Sequence, residues 1–383
     1  MSVRSIQKSQ LAVFLAVASI ALFGARCSGL DFWAYLELEA AGVNKYLGEF
    51  EPASTTDVGD GWTKHTFDTE GGEGPICISG TEFSAFTREG DPEKLLIFEQ
   101  GGGACWQDFY FCNAFSEDQE PPTDRVGIWD FDNPDNPFAD YSIVYMPYCD
   151  GSVFSGDNDV EDPNYPLGPV RYHRGLRNQS AAMDVGHSLF PDAKEITLSG
   201  SSAGGVGVDG FAPFLVRFLW RNQTNLSVLN DAGPITVNLA ATEAIAARAE
   251  DWQFGQFYPE SCEDCDALGK ATAVIAWRLR RDRTIREGWY ETDGDGTNRF
   301  FLGVPTQEEY RELIIEQTDE LRARHPFRFK RFIVSKDASH TAVQSPLFYT
   351  QEVDGVRLNE WSRALIKPSW GWRDLVAPFE PLD

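Results

Sequence analysis

The sequence predicts an α/β fold: a mostly parallel central sheet with helices on both faces. Two observations carry that expectation. Short apolar runs rich in β-branched and aromatic residues alternate with longer stretches of helical spacing. One such run, Glu195–Ser199, passes through a glycine turn straight into a helix-forming stretch. Strand, helix and strand in that order need crossover connections, and parallel strands so connected are covered on both sides.

Taken in order, residues 1–28 read as an export signal. Arg4 and Lys8 precede the apolar run Leu11–Gly24, which is shorter than the roughly 20 residues of a membrane span. Cleavage, retention as an anchor, and lipidation at Cys27 are its three fates, and Arg26 is a poor neighbour for the last. Residues 29–383 are expected to form a single domain. The Gly- and Thr-rich segment from Phe50 to Thr87 supplies edge strands. Lys94–Gln100 and Tyr141–Tyr148 are central strands. Asp118–Pro137 and Asp157–Pro169, dense in Asp, Asn and Pro, are loops. Arg174–Phe190 is a helix that Pro191 and Asp192 stop. Glu195–Ser199 is the next strand, Ala203–Trp220 a helix, and Leu226–Asp231 and Phe327–Ser335 further strands.

Composition narrows the function. With 11 Trp and 27 Phe among 383 residues, the chain is not disordered. Its 59 acidic residues outweigh 33 basic ones, for a formal charge of −26, which excludes nucleic acid as a natural partner. Setting Cys27 aside leaves six cysteines, an even number that suits disulfides in an oxidising compartment. Cys105 and Cys112 are near enough to close a small loop. Cys262 and Cys265 lack a second CxxC or a histidine pair to make a zinc site, so they read as a structural bridge. Elimination leaves Cys77 for Cys149. No metal or cofactor is expected.

The chemistry centres on Gly200-Ser201-Ser202-Ala203-Gly204, which fits G-x-S-x-G with Ser202 in the middle. A nucleophile must project from a tight strand-to-helix turn, and small neighbours permit that backbone. A serine also needs a base and a site for the oxyanion. Gly101-Gly102-Gly103 follows the Lys94–Gln100 strand and lacks the Gly-Lys-Ser/Thr ending of a phosphate loop. The N–H groups of Gly102, Gly103 and Ala203 would form the oxyanion hole. Histidine follows serine and acid in this chain order. His340 lies in a polar loop just after a strand, whereas His325 lies before that strand, at its wrong end. His173 is either structural or a substrate contact. Asp231, Asp293 and Asp295 are candidate acids. The glycine-rich loop holding the last two lacks the later carboxylate of a calcium site, and spacing does not choose between them.

Four blocks, LLIFEQGGGACW, NPFADYSIVYMPYCDGSVFSG, YHRG and LSGSSAGG, together resemble the pectin acetylesterase/Notum family of secreted serine esterases. The resemblance runs from about Pro75 to Pro234 and weakens beyond. It implies an α/β-hydrolase-like fold and a Ser–Asp–His triad. The family's nucleophile motif falls on Ser202, its oxyanion loop on Gly102 and Gly103, and its following disulfide on Cys105 and Cys112. Its D-x-x-Q/N pattern fits Asp295 through Asn298, not Asp293, and its base falls on His340, a looser match. The expected partner is an acyl ester, an acetylated carbohydrate first, with a membrane involved only through an N-terminal lipid or anchor. A fatty-acyl deacylase and an inactive fold that binds a glycan or a protein are the alternatives. Trp106, Phe109, Tyr110, Phe154 and His173 are expected around the substrate.

Overall fold

The computed structural model describes residues 29–112, 119–221, 225–266, 270–367 and 371–382. The expected export signal and Cys27 lie outside the described residues. Among the described residues, ten strands form one sheet. Across it they run Ser54–Gly59, Trp62–Phe67, Phe83–Arg88, Tyr141–Met146, Asp91–Glu99, Glu195–Ser201, Asn225–Asp231, Arg286–Thr292, Phe329–Val334 and Leu375–Val376. From Tyr141–Met146 onward every neighbouring pair is parallel. The first three strands add an antiparallel edge, within the Phe50–Thr87 segment.

The central strands are buried along most of their length, so they read as continuous apolar runs. Their side chains still alternate between two cores. Leu95 and Ile97 pack on one face with Ile196, Leu198, Val144 and Met146. Leu96 and Phe98 pack on the other with Ile143, Tyr145, Tyr290 and Phe332. Helices Gly175–Leu189 and Ala212–Leu219 supply the first core, and Leu358–Ile366 the second. The mostly parallel sheet with helices on both faces is therefore as expected.

Three local departures have physical reasons. The stretch 203–220 forms two helices, Ala203–Asp209 and Ala212–Leu219. Gly210 and Phe211 interrupt it, and Pro213 suits the first turn of the second helix, where a missing N–H costs nothing. Asp157–Pro169 is not all loop: Asn158–Glu161 pairs antiparallel with Val170–His173. Its polar composition hid a short strand with a solvated face. The buried strand Arg286–Thr292, which leads to the candidate acids, was not expected. Its charged start and two glutamates mask it, because both Glu287 and Glu291 are buried.

Three disulfides are present: Cys77–Cys149, Cys105–Cys112 and Cys262–Cys265. The second ties the hairpin Gly103–Trp106/Phe109–Cys112 beside the glycine loop. Among the described residues, no helix is long and apolar enough to cross a membrane, and no cluster of His, Cys, Asp and Glu could hold a metal ion.

Candidate active site

The Asp91–Glu99 strand lies between Tyr141–Met146 and Glu195–Ser201, so the chain leaves it in one direction and later returns on its other side. Such a reversal of strand order opens a crevice at the carboxyl ends of the strands. The glycine run leaves one of these two strands and the Ser202 turn leaves the other, with Gly200 paired opposite Glu99.

The spacing of G-x-S-x-G is steric. A Cβ on Gly200 would lie 2.3 Å from the carbonyl oxygen of Gly204, and one on Gly204 would lie 2.0 Å from that of Glu99. Gly101 closes on the turn as well: its Cβ would meet the Ser201 carbonyl at 2.6 Å. Ser202 has φ of 56° and ψ of −117°, a conformation that L-residues rarely adopt. Its N–H donates to the Asp231 carbonyl at 2.8 Å. Ala203 begins the following helix, whose first-turn N–H groups have no intrahelical acceptor. Gly103, at φ of 79°, packs so tightly on the Phe111 carbonyl that only glycine fits.

The structure puts Asp295, not Asp293, against His340. His340 Nδ1 and Asp295 Oδ2 are 2.5 Å apart. A carboxylate there accepts the Nδ1 proton and leaves the lone pair on Nε2. Nε2 has no hydrogen-bond partner among the described residues, so no bond yet joins it to Ser202. Catalytic hydrogen bonds commonly tighten only with substrate bound. Asp293 is held by Arg311 at 3.0 Å, Gln307 and Ser335. The loops carrying Asp295 and His340 are stitched together, with the Thr292 hydroxyl donating to the Ser339 carbonyl at 2.6 Å. A Cβ on Gly294 would strike the Asp337 carbonyl at 2.3 Å.

Asn298 explains the acid's local pattern. Its backbone N–H donates to Asp295 Oδ1 at 2.9 Å, which caps the helix Gly296–Leu302. Its side-chain amide donates to Glu291 and to the Ala232 carbonyl, each at 2.9 Å. Burial, reinforced by the charge of Asp295, holds the Glu291 carboxyl well above the usual range.

Asp231 takes a different place from the one weighed for it. It lies in register with Ser201, whose hydroxyl donates to it at 2.5 Å. It also accepts the N–H groups of Ala342 and Val343, at 2.9 and 3.1 Å. The carboxylate thus ties the Ser202 turn to the loop carrying His340. Burial pushes it up to about 6, against the opposing hydrogen bonds. A folded pKa above the unfolded 3.8 stabilises the protonated form. That contribution is complete below 3.8 and lost as pH rises through about 6. Asp231→Asn has no such dependence. Its melting temperature minus that of wild type should therefore rise between pH 4 and pH 7.5. Thermal melts across that range check this, and a flat or falling difference contradicts it.

Ser202 stands between two spaces. A partly open cavity of about 130 Å³ is walled by apolar groups including Trp106, Val206, Phe211, Trp252 and Phe301. An open cleft of about 630 Å³ is lined by Gly101, Gly102, Gly103, Ser202 and His340, with Tyr110, Phe111, Thr297, Phe300 and Gln344. Of the aromatics expected near substrate, Trp106 faces the cavity and Tyr110 the cleft. Phe109 stacks on Trp106 at 3.9 Å between ring centroids. Phe154 is a core residue packed on Tyr148, and neither space reaches it. His173 is likewise structural. Strand alternation turns it inward beside Arg171, and burial pushes it down to about 3, so it stays neutral. Sequence reasoning passed over Thr297, Phe300, Phe301 and Gln344, which carry no motif and are assembled by the fold.

Comparison with known proteins bears on the fold and on the part of the chain that carries the serine turn. Residues 63–245 match the family described as Pectinacetylesterase. That span includes the glycine loop and Ser202 and ends before Asp295 and His340. Palmitoleoyl-protein carboxylesterase notum1a of Danio rerio is 26% identical over 215 residues, 49% of this chain and 41% of that protein. Pectin acetylesterase 5 of Arabidopsis thaliana is 30% identical over 145 residues, 35% of this chain and 33% of that one. The chain thus spans less than half the length of these curated relatives. A solved structure of the Wnt deacylase Notum from Drosophila superposes with a TM-score of 0.59 at 20% identity, over 79% of this chain and 93% of that one. At that identity the likeness speaks for the fold.

Proposed function

Given that residues 63–245 are pectinacetylesterase-family sequence, we infer that the chain is a serine carboxylesterase acting on short O-acyl esters. Ser202 Oγ attacks the ester carbonyl while His340 Nε2 takes its proton. The N–H groups of Gly102, Gly103 and Ala203 hold the oxyanion. Asp295 keeps the ring in its tautomer and balances the imidazolium. His340 then protonates the departing alcohol, and water repeats the attack to release the acid. The observation that carries the reading is the Asp295–His340 pair facing the cleft that Ser202 and the glycine loop line.

The two spaces suggest which ester. The cavity, at about 130 Å³, is close to a cavity of roughly 150 Å³ that takes benzene. It suits acetyl and other short groups and is too small for a palmitoleoyl chain. The open cleft mixes Gln100, Thr297 and Gln344 with the rings of Phe111 and Phe300. Amides and hydroxyls meet sugar hydroxyls there, and rings meet apolar sugar faces. An O-acetylated carbohydrate is the favoured substrate. The three disulfides support action outside the cytosol, as the export signal implies.

A p-nitrophenyl ester series tests the acyl side. kcat/KM should be highest at acetate or butyrate and fall at least ~10-fold by octanoate, because an overlong chain must force the cavity open. Turnover of octanoate and longer chains alone would contradict the short-acyl reading and favour a fatty-acyl deacylase.

A further inference from the structure

The cavity beside Ser202 is mostly apolar, and Arg248 of helix Thr242–Trp252 enters its wall as its one cationic residue among the described residues, beside the polar Ser155, Asp209, Thr236 and Asn298. The guanidinium sits over the Trp106 ring, 5.5 Å from its centroid. Its Nε donates to the Ala244 carbonyl at 3.2 Å, one turn back on its own helix. Among the described residues, Nη1 and Nη2 make no hydrogen bond and no carboxylate pairs with them. Arg248 itself is only partly buried, and the fully buried arginines differ from it. Arg171 holds Asp162 and Asp251, Arg217 holds Asp282, and Arg278 holds Glu287. Asp209 also borders the cavity, but it is engaged by Asn230 and lies 3.8 Å from Arg278.

A guanidinium partly withdrawn from water gains when a carboxylate or another acceptor meets it. The fold pairs the fully buried Arg171, Arg217 and Arg278 with its own carboxylates and leaves the partly buried Arg248, on the wall of the cavity that Ser202 also lines, without one, so an anion from outside has a place to bind. The planar fork of Nη1 and Nη2 suits two parallel bonds to a carboxylate, and the Trp106 face below keeps the charge in place.

We propose that Arg248 is a specificity-determining residue that receives a carboxylate carried by the substrate, so that the preferred esters are short and anionic, such as hemisuccinyl or hemiglutaryl groups. The proposal rests on the esterase reading of Ser202 and extends it. The chemistry is ordinary acyl transfer: the Ser202 Oγ–carbonyl bond forms, the bond to the alcohol breaks, and water releases the diacid. Burial pushes the guanidinium down to about 10 with no nearby carboxylate to offset it, which leaves it charged at neutral pH. The chain's charge of −26 repels polyanions at a distance, whereas one guanidinium inside a small cavity selects a single negative group.

The carboxylate could reside on the acyl group or on the alcohol, and two arms separate them. One compares benzyl hemiglutarate with benzyl pentanoate. The other compares an acetylated glucuronate with acetylated glucose. Wild type should prefer the anionic member of at least one pair by ~10-fold or more in kcat/KM. Arg248→Gln should bring that ratio to about 1 or below, and Arg248→Lys, which keeps charge but loses the fork, should fall between. A preference confined to the glucuronate pair keeps Arg248 as the receptor and assigns the carboxylate to the alcohol. Independently of turnover, glutarate should raise the melting temperature of Ser202→Ala protein and not that of Ser202→Ala/Arg248→Gln. Hydrolysis of neutral esters with no anionic preference in either arm, or a preference that survives Arg248→Gln, overturns the proposal and leaves the esterase reading standing. Absence of hydrolysis of every ester overturns both.

Discussion

Ser202→Ala is expected to lower kcat/KM for p-nitrophenyl acetate by at least ~10⁴-fold and to leave the fold intact. The side chain is a short hydroxyl on a backbone already held by other contacts. Its N–H is fixed to the Asp231 carbonyl, and Gly101 and Gly204 clamp the turn from either side. Alanine at φ of 56° is strained no more than serine is. The neighbouring serine is the control. Ser201 is buried and gives its proton to Asp231. Ser201→Ala removes one of three donors from that carboxylate, so it should cost about 1–3 kcal/mol of stability. It should slow turnover far less, because the nucleophile remains. Melting curves and kinetics on both variants check the pair. Equal activity losses would mean that the turn, not one hydroxyl, is what turnover needs.

Gly204→Ala is expected to give the largest loss of stability. The new methyl would sit 2.0 Å from the Glu99 carbonyl oxygen, 2.5 Å from its carbon and 2.9 Å from the Gln100 carbonyl oxygen. These are backbone atoms of a central strand with parallel neighbours on both sides, so no side chain can swing away. The Ala203–Asp209 helix must lift off the sheet instead. Overpacking of this kind costs about 3 kcal/mol or more. For a chain of this size that is a fall of roughly 4 °C or more in melting temperature. The lifted helix also carries the Ala203 N–H away from the oxyanion, so activity should fall with stability. Gly168, where an added methyl would meet nothing within 4 Å, is the matched control: Gly168→Ala should leave both near wild type. A melting temperature for Gly204→Ala within about 2 °C of wild type would contradict the packing argument.

The central strands of the sheet were legible because they are buried on both faces. Runs such as Leu95–Phe98 and Tyr141–Met146 leave no polar period for a helix to use. The Arg286–Thr292 strand was not legible, since its two glutamates read as solvated although they are buried and stabilised by Arg278 and Asn298. The Asn158–Glu161 strand was hidden by its own polarity. At the site, the serine turn and glycine loop are local motifs, and local sequence holds them. The choice between Asp293 and Asp295 is not local. It depends on how the loop after one strand meets the loop after the next, and only the D-x-x-N pattern pointed to Asp295. Its reason is visible in Asn298, which caps Asp295 and anchors Glu291 beneath it. Asp231 and Arg248 bear no motif. Asp231 acts through register with Ser201, and Arg248 stands out only once its lack of a carboxylate can be compared with the pairing of Arg171, Arg217 and Arg278. Phe154 and His173 lie in distinctive sequence blocks yet pack into the interior, because a residue type that suits a binding cleft suits a core equally well.

All of the chemistry depends on an acyl group passing onto the Ser202 hydroxyl. Mass spectrometry of peptides from protein treated with a fluorophosphonate ester probes that transfer at the residue itself. A single stoichiometric adduct on Ser202 is expected, with loss of ester hydrolysis in step with its formation and no adduct on Ser202→Ala protein. An adduct on another residue that tracks the loss of activity, or full hydrolysis by protein in which Ser202 is replaced, would contradict it.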